Sequence, residues 1–244
     1  MLTCNRKEKI NLYEARREET NLTNDSHRYF IIRHGETDWN KEFRYQGNSD
    51  IELNEDGALQ ARRVAVRLSR IMPARVLSSP LKRAARTAQI IAEHSEFPVE
   101  IELAPELREI SFGCWEGLTI PEIKKLDGET FARWRSAPFS CAPSGGEEIG
   151  EVRARVEALT ARLVPEGKPG EATFIVAHGG VLRALIAAMM LFPDLDLLWR
   201  LRFDNCSVTV IDIWGTRPSL LLTNDTHHLR SRDDEAAMSL VFPL

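Results

Sequence analysis

The chain has 244 residues, enough for one α/β domain with a sizeable core. It is 43% hydrophobic and 28% charged, which excludes a fibrous or disordered composition, and its net charge of −4 gives no general basic face for nucleic acid. A small anionic partner is still compatible, because it needs only a local cluster of Arg and His.

Residues 1–27 are polar, with mixed charge from Arg6, Lys7, Lys9, Arg16 and Arg17 against Glu8, Glu14, Glu18, Glu19 and Asp25. They predict a flexible N-terminal extension outside the fold, and they lack the apolar stretch of a secretory signal. No run approaches 18 apolar residues, so no membrane association is expected and the cytoplasm is the expected location. Cys4, Cys114, Cys141 and Cys206 form no CxxC pair and no zinc-type spacing, which suits reduced thiols.

The fold is expected to begin with Tyr29-Phe30-Ile31-Ile32, a short apolar run that reads as a buried strand. A polar loop over residues 35–50 follows, then a helix from Asn54 with Ala58, Ala61, Ala65 and Leu68 in phase. Arg75-Val76-Leu77-Ser78 reads as a second strand. Ser79 and Pro80 read as the cap and first position of a helix running to Ala92. Residues 105–146 are punctuated by Gly and Pro and predict short helices covering a site. An amphipathic helix is expected over 147–164, a strand over 172–177, and a helix apolar almost all round over 179–191. Late strands are expected over 207–213 and 220–222. Strands alternating with helices predict a three-layer α/β/α sandwich with a mostly parallel central sheet and a small helical lid insertion.

In such sheets ligands bind beyond the carboxyl ends of the strands. That directs attention to Arg33-His34, Ser78-Ser79 and His178. Gly179-Gly180 after His178 opens a helix whose first N–H groups favour anions. Arg83 falls in the first turn of another helix, where a cation opposes the helix dipole and so suggests an anionic partner. Glu109 lies in the loop-like segment Leu107-Arg108-Glu109-Ile110. There is no HExxH, P-loop or two-metal carboxylate cluster, so neither a metal nor a cofactor is implied. The pair His227-His228 reads as surface residues rather than ligands.

RHGETDWN at 33–40, GNSDIELNEDGALQA at 47–61, SSPLKRAARTA at 78–88, LREISFGCWEG at 107–117, GGEE at 145–148 and VAHGG at 176–180 occur in one order. Together they resemble the histidine phosphatase, or phosphoglycerate-mutase-like, superfamily from about residue 29 to residue 229. The resemblance implies one domain over residues 28–244 with a lid at about 110–146, and catalysis through a phosphohistidine on His34. It implies that Arg33, Arg83 and His178 surround the phosphoryl group and that Glu109 is the general acid. It further assigns phosphate contacts to Asn40, Gln46, Gly47 and Gly179. The activity implied is hydrolysis of a small phosphomonoester, with the chain similar to α-ribazole phosphatases and to sugar or broad-specificity phosphatases. A homodimer is compatible. The alternatives are a cofactor-dependent phosphoglycerate mutase with the same catalytic five, and a non-catalytic binding module on the same fold. ISFGCWEG at 110–117 and the short segment to Gly146 look like the phosphatase branch. Phe112, Trp115, Phe131 and Trp134 are expected to form an apolar rim for the substrate's carbon body. Arg86 and Glu148 depart from the family's common Gln and Ser, and Glu148 is expected near the lid.

Overall fold

Strand β1 (His27–Arg33) buries Tyr29 and Ile31 in one layer and Phe30 and Ile32 in the other. A strand apolar on both faces must be covered on both sides, which sets the layering of the molecule. The computed structural model describes residues 25–137, 141–193 and 200–230. Most of the predicted extension, residues 1–24, therefore lies outside the described residues. His27, assigned to that extension by sequence, is instead the buried first residue of β1, where its Nε2 lies 2.8 Å from Thr173 Oγ1.

After β1 come helix α1 (Asp38–Lys41), helix α2 (Glu55–Leu68), strand β2 (Arg75–Ser78), helix α3 (Lys82–Glu93) and strand β3 (Ile101–Leu103). Helices α4 (Ile120–Ser136) and α5 (Ile149–Glu166), strand β4 (Ala172–Ala177), helix α6 (Gly179–Met189) and strands β5 (Val208–Trp214) and β6 (Arg217–Asp225) complete the order. The sheet runs β3-β2-β4-β1-β5-β6. The pairs β3–β2, β2–β4 and β4–β1 are parallel, while β5 joins β1 antiparallel and β6 joins β5 antiparallel. Ala61, Val64, Ala65 and Leu68 of α2, with Ala84, Ala88 and Ile91 of α3, cover the Phe30 face. Helices α5 and α6 cover the Tyr29 face. This is the expected α/β/α sandwich with a mostly parallel sheet.

One expectation fails for a local reason. Helix α3 starts at Lys82 rather than at Pro80. Ser79 still donates its N–H to Val176 O of β4 at 2.9 Å, and its hydroxyl is engaged by His178, so the chain leaves the sheet two residues late. The segment 105–146 holds the short helical turns Pro105–Leu107 and Gly113–Trp115, as expected, and the longer helix α4, broken at Asp127. The Trp115 indole N–H donates to the Asp127 carboxylate at the break.

The four aromatic residues expected at the rim point inward. Trp115, Phe131, Trp134 and Phe112 are all buried and pack edge-to-face around Tyr45 with ring centroids 5.0–6.3 Å from it. They join the core cluster that packs on the Tyr29 face of the sheet rather than forming an apolar rim. Leu107, Ile110 and Ile123 are buried with them, and aromatic pairs each contribute about 0.5–1.5 kcal/mol beyond area. Among the described residues, no helix is long and apolar enough to cross a membrane.

Candidate active site

The carboxyl ends of β1, β2 and β4 bring Arg33-His34, Ser79 and His178 together. His34 donates its backbone N–H to Ala177 O at 2.9 Å, and the His34 and His178 rings lie 5.0 Å apart. His34 Nδ1 stands 2.6 Å from Gly35 O. A carbonyl can only accept, so Nδ1 carries the hydrogen and Nε2 keeps its lone pair. Gly35 must be glycine here: a Cβ would lie 2.5 Å from the Gly57 carbonyl of α2. Its own N–H donates to Thr87 Oγ1 at 3.0 Å. Behind this loop, Asn205 Nδ2 donates to His34 O at 3.0 Å, and Cys206 N–H donates to Arg33 O at 3.0 Å.

Arg83 is fully buried and donates through Nη1 to Ser49 O and through Nη2 to Gly47 O, each at 2.8 Å. Gly47 has φ +52, and a Cβ there would meet the Glu116 carboxylate at 2.1 Å. That carboxylate accepts from Asn48 N, Ser49 N, Ser49 Oγ and Phe112 N. Glu116 thus fastens the loop that holds Arg83 to the lid. Arg33 donates through Nη1 to Phe203 O at 2.6 Å.

Buried polar atoms without partners are costly, and native proteins keep few of them. Among the described residues they are Arg33 Nε, Gln46 Oε1, Arg83 Nε, His178 Nδ1 and Ser207 Oγ. Four belong to predicted site residues, and three of these are nitrogens suited to an oxyanion. A half-turn of the Gln46 amide would present a fourth donor. The electrostatics agree. Burial brings Arg83 down to about 10 and lowers Arg33, with Glu109 opposing both shifts. Desolvation, then Arg83, holds the His34 and His178 imidazoles well below 6.5. The result is a desolvated positive site containing a neutral imidazole with a free lone pair, suited to a dianion.

Glu109 closes one side. Its Oε1 accepts from Ile110 N and Val181 N at 2.9 Å each, and its Oε2 accepts from Gly180 N at 3.0 Å. Oε1 is saturated, while Oε2 keeps a lone pair for a proton. A cavity of about 370 Å³ lies against this carboxyl, lined also by Asn48, Arg108, Ser111, Glu147 and Arg155. Asn40 plays a more structural part than expected. Its Oδ1 accepts from Thr37 N, Thr37 Oγ1 and Asn205 Nδ2, so only Nδ2 remains for a ligand. Gly47 acts through its carbonyl on Arg83. Gly179 lies beside Arg33: a Cβ there would be 3.6 Å from Arg33 Nε.

The pattern of the histidine phosphatase superfamily (branch 1) matches residues 29–226. The chain belongs to the histidine phosphatase superfamily. A protein named phosphoserine phosphatase 1 from Hydrogenobacter thermophilus is 35% identical over 199 residues, 82% of this chain and 92% of that one. Phosphoglycerate mutase-like protein 4 of Arabidopsis thaliana is 40% identical over 157 residues, 64% of this chain and 67% of that one. The solved α-ribazole phosphatase of Shigella flexneri superposes with a TM-score of 0.73 at 31% identity, covering 81% of this chain and 96% of that one. The chain is a phosphatase enzyme, and the binding-module alternative falls away.

Sequence reading passed over three residues of this phosphatase. Arg183 donates to Gly179 O and to Leu201 O and stacks 5.2 Å from the Phe203 ring centroid. A lone charge in the otherwise apolar helix α6 was the available signal. Asn205 and the Glu116 carboxylate had none, because their partners lie 165 or more and up to 68 residues away respectively. His228, expected at the surface, instead lies half-buried with Nε2 3.0 Å from Cys206 O. Glu148 caps α5, while its neighbour Glu147 lines the cavity. Arg86 pairs with Glu93 at the surface.

The buried histidines give the phosphatase a predicted pH dependence. Burial lowers His27, His34 and His178, and brings His228 down to about 4. A depressed native value means that the unfolded chain binds more protons below about 6.5, so stability is greatest above that pH and falls as the solution is acidified toward the native values. The melting temperature is therefore expected to fall steadily from about pH 7 to about pH 5, before most carboxylates titrate. A melting temperature that is level or rising over that interval would contradict this account.

Proposed function

We propose that this phosphatase hydrolyses a small phosphorylated metabolite through a covalent phosphohistidine on His34. The observation that carries the reading is the buried His34 ring, its Nδ1 hydrogen committed to Gly35 O, beside the desolvated Arg33 and Arg83. Nε2 attacks phosphorus in line, and the bond from phosphorus to the ester oxygen breaks. The leaving alkoxide takes a proton from Oε2 of Glu109. The Glu109 carboxylate then accepts a proton from water, the water oxygen attacks phosphorus, and the P–N bond breaks to release inorganic phosphate. Arg33, Arg83 and His178 hold the equatorial oxygens throughout.

α-Ribazole phosphate and sugar phosphates are the substrates the sequence resemblance favours. Hydrolysis is favoured over isomerisation on structural grounds. A mutase must retain a bisphosphate and exclude water. Lys124, Lys125, Arg133 and Arg135 of the lid face solvent, and Arg108 and Asn48 leave the cavity's edge exposed to water.

The test is a phosphomonoester panel assayed in excess EDTA, with 3-phosphoglycerate plus catalytic 2,3-bisphosphoglycerate as one arm. Undiminished phosphate release is expected in EDTA, because the positive charge comes from the arginines. Activity lost to the chelator and restored by a divalent ion would refute that account of charge. Rapid formation of 2-phosphoglycerate with negligible free phosphate would establish the mutase reading instead.

A further inference from the structure

The cavity against Glu109 holds more charge than the reaction uses, and nearly all of it is matched internally. Arg155 donates through Nε and Nη2 to the two oxygens of Glu147 at 2.7 and 2.9 Å. Its Nη1 also donates to the carbonyls of Glu106 and Arg108. Ser111 Oγ is engaged by Glu116.

Arg108 differs from these neighbours. It lines the cavity and is exposed, and its guanidinium makes no hydrogen bond or ion pair among the described residues. The side-chain amide of Asn48, on the same cavity, is also without a hydrogen bond among those residues. The aromatic side chains that would favour an apolar occupant are turned into the core.

We infer that the leaving alcohol carries a carboxylate, held in the cavity beside Glu109 by the Arg108 guanidinium with help from Asn48. The substrate class is then a phosphorylated hydroxy acid or amino acid, in preference to a neutral sugar phosphate. This inference rests on the proposed phosphomonoesterase reading. A planar guanidinium matches a carboxylate through two parallel hydrogen bonds. One unmatched cation suits one negative charge, whereas a second phosphate dianion would call for more. The Glu147 carboxylate, the strongest acceptor for sugar hydroxyls on this cavity, is already taken by Arg155.

The experiment compares O-phosphoserine with O-phosphoethanolamine, which differ only in the carboxylate, using the full chain and its Arg108→Gln and Arg108→Lys variants. The wild type is expected to favour phosphoserine in kcat/KM by about tenfold or more, as a charge-assisted contact allows. Arg108→Gln should bring that ratio close to one, mainly through KM, and Arg108→Lys should restore part of it. The preference should weaken as salt rises above about 0.15 M, because the contact is exposed. A wild-type ratio near one, or equal losses on both substrates in Arg108→Gln, overturns the inference. p-Nitrophenyl phosphate separates the two levels of the argument. Its hydrolysis without a phosphoserine preference defeats the carboxylate inference alone, while no hydrolysis of any monoester defeats the proposed function as well.

Discussion

Replacing His34 with alanine is expected to lower kcat/KM by at least about 10³-fold while the protein stays folded. The ring is the one imidazole in the site whose Nδ1 is pinned by a backbone carbonyl, leaving Nε2 without a hydrogen. His178 faces the same two guanidiniums, but its Nε2 is engaged by the Ser79 hydroxyl at 2.8 Å. The fold should tolerate the change, because the ring is held against its own preference: burial, Arg83 and Arg33 all disfavour its charged form. The loop backbone is set independently by Thr87, Asn205 and the Gly35–Gly57 approach. A melting curve should therefore remain cooperative. In the wild type, a rapid acid quench should trap phosphate on His34 in a bond stable to base and labile to acid. If the variant keeps more than about a tenth of the wild-type rate, the nucleophile has been misassigned.

Glu109→Gln is expected to cost about 10²- to 10⁴-fold in kcat for alkyl phosphates, the usual range for losing a general acid. The loss should be much smaller for aryl phosphates, whose leaving groups depart without a proton. The substitution also has a structural cost. All three backbone donors at this carboxyl, from Ile110, Gly180 and Val181, face acceptors in the wild type. An amide must turn its NH2 toward at least one of them, and the Gly180 N–H is the single donor on Oε2. A lost buried hydrogen bond costs about 1–3 kcal/mol, so the melting temperature should fall as well. Leaving-group dependence separates the two effects. A loss of the same size on alkyl and aryl substrates would assign Glu109 to holding the start of α6 rather than to proton transfer.

The gathering of Arg33-His34, Ser79 and His178 was legible because it is local. β1, β2 and β4 each carry a buried apolar stretch, and each ends on or just before a polar residue that the parallel sheet carries to the same edge. Helix phase was equally plain in α5, where Val152, Val156, Leu159 and Leu163 are buried as expected. What escaped depends on partners far apart in the chain. Ser79 is a good cap in isolation, but its hydroxyl answers to His178, which lies 99 residues away. The aromatic residues of the lid carry no mark of which way they face. Tyr45 decides it, and that residue sits in a loop before α2. β3, only three residues long with two of them exposed, offers no pattern to read.

The inward-facing aromatic cluster of the lid has a consequence for how such enzymes diversify. Trp115, Phe131 and Trp134 hold the cover together, while the groups at the cavity's edge, Arg108 and Asn48, are exposed and make no side-chain hydrogen bond among the described residues. Packing and the proposed recognition of the leaving group therefore fall to different residues. Substitution at the edge leaves the packed interior untouched, so single mutations there are nearly neutral for folding. A lineage can exchange one leaving group for another by drift and selection at these few positions, with the phosphoryl chemistry beneath them unchanged.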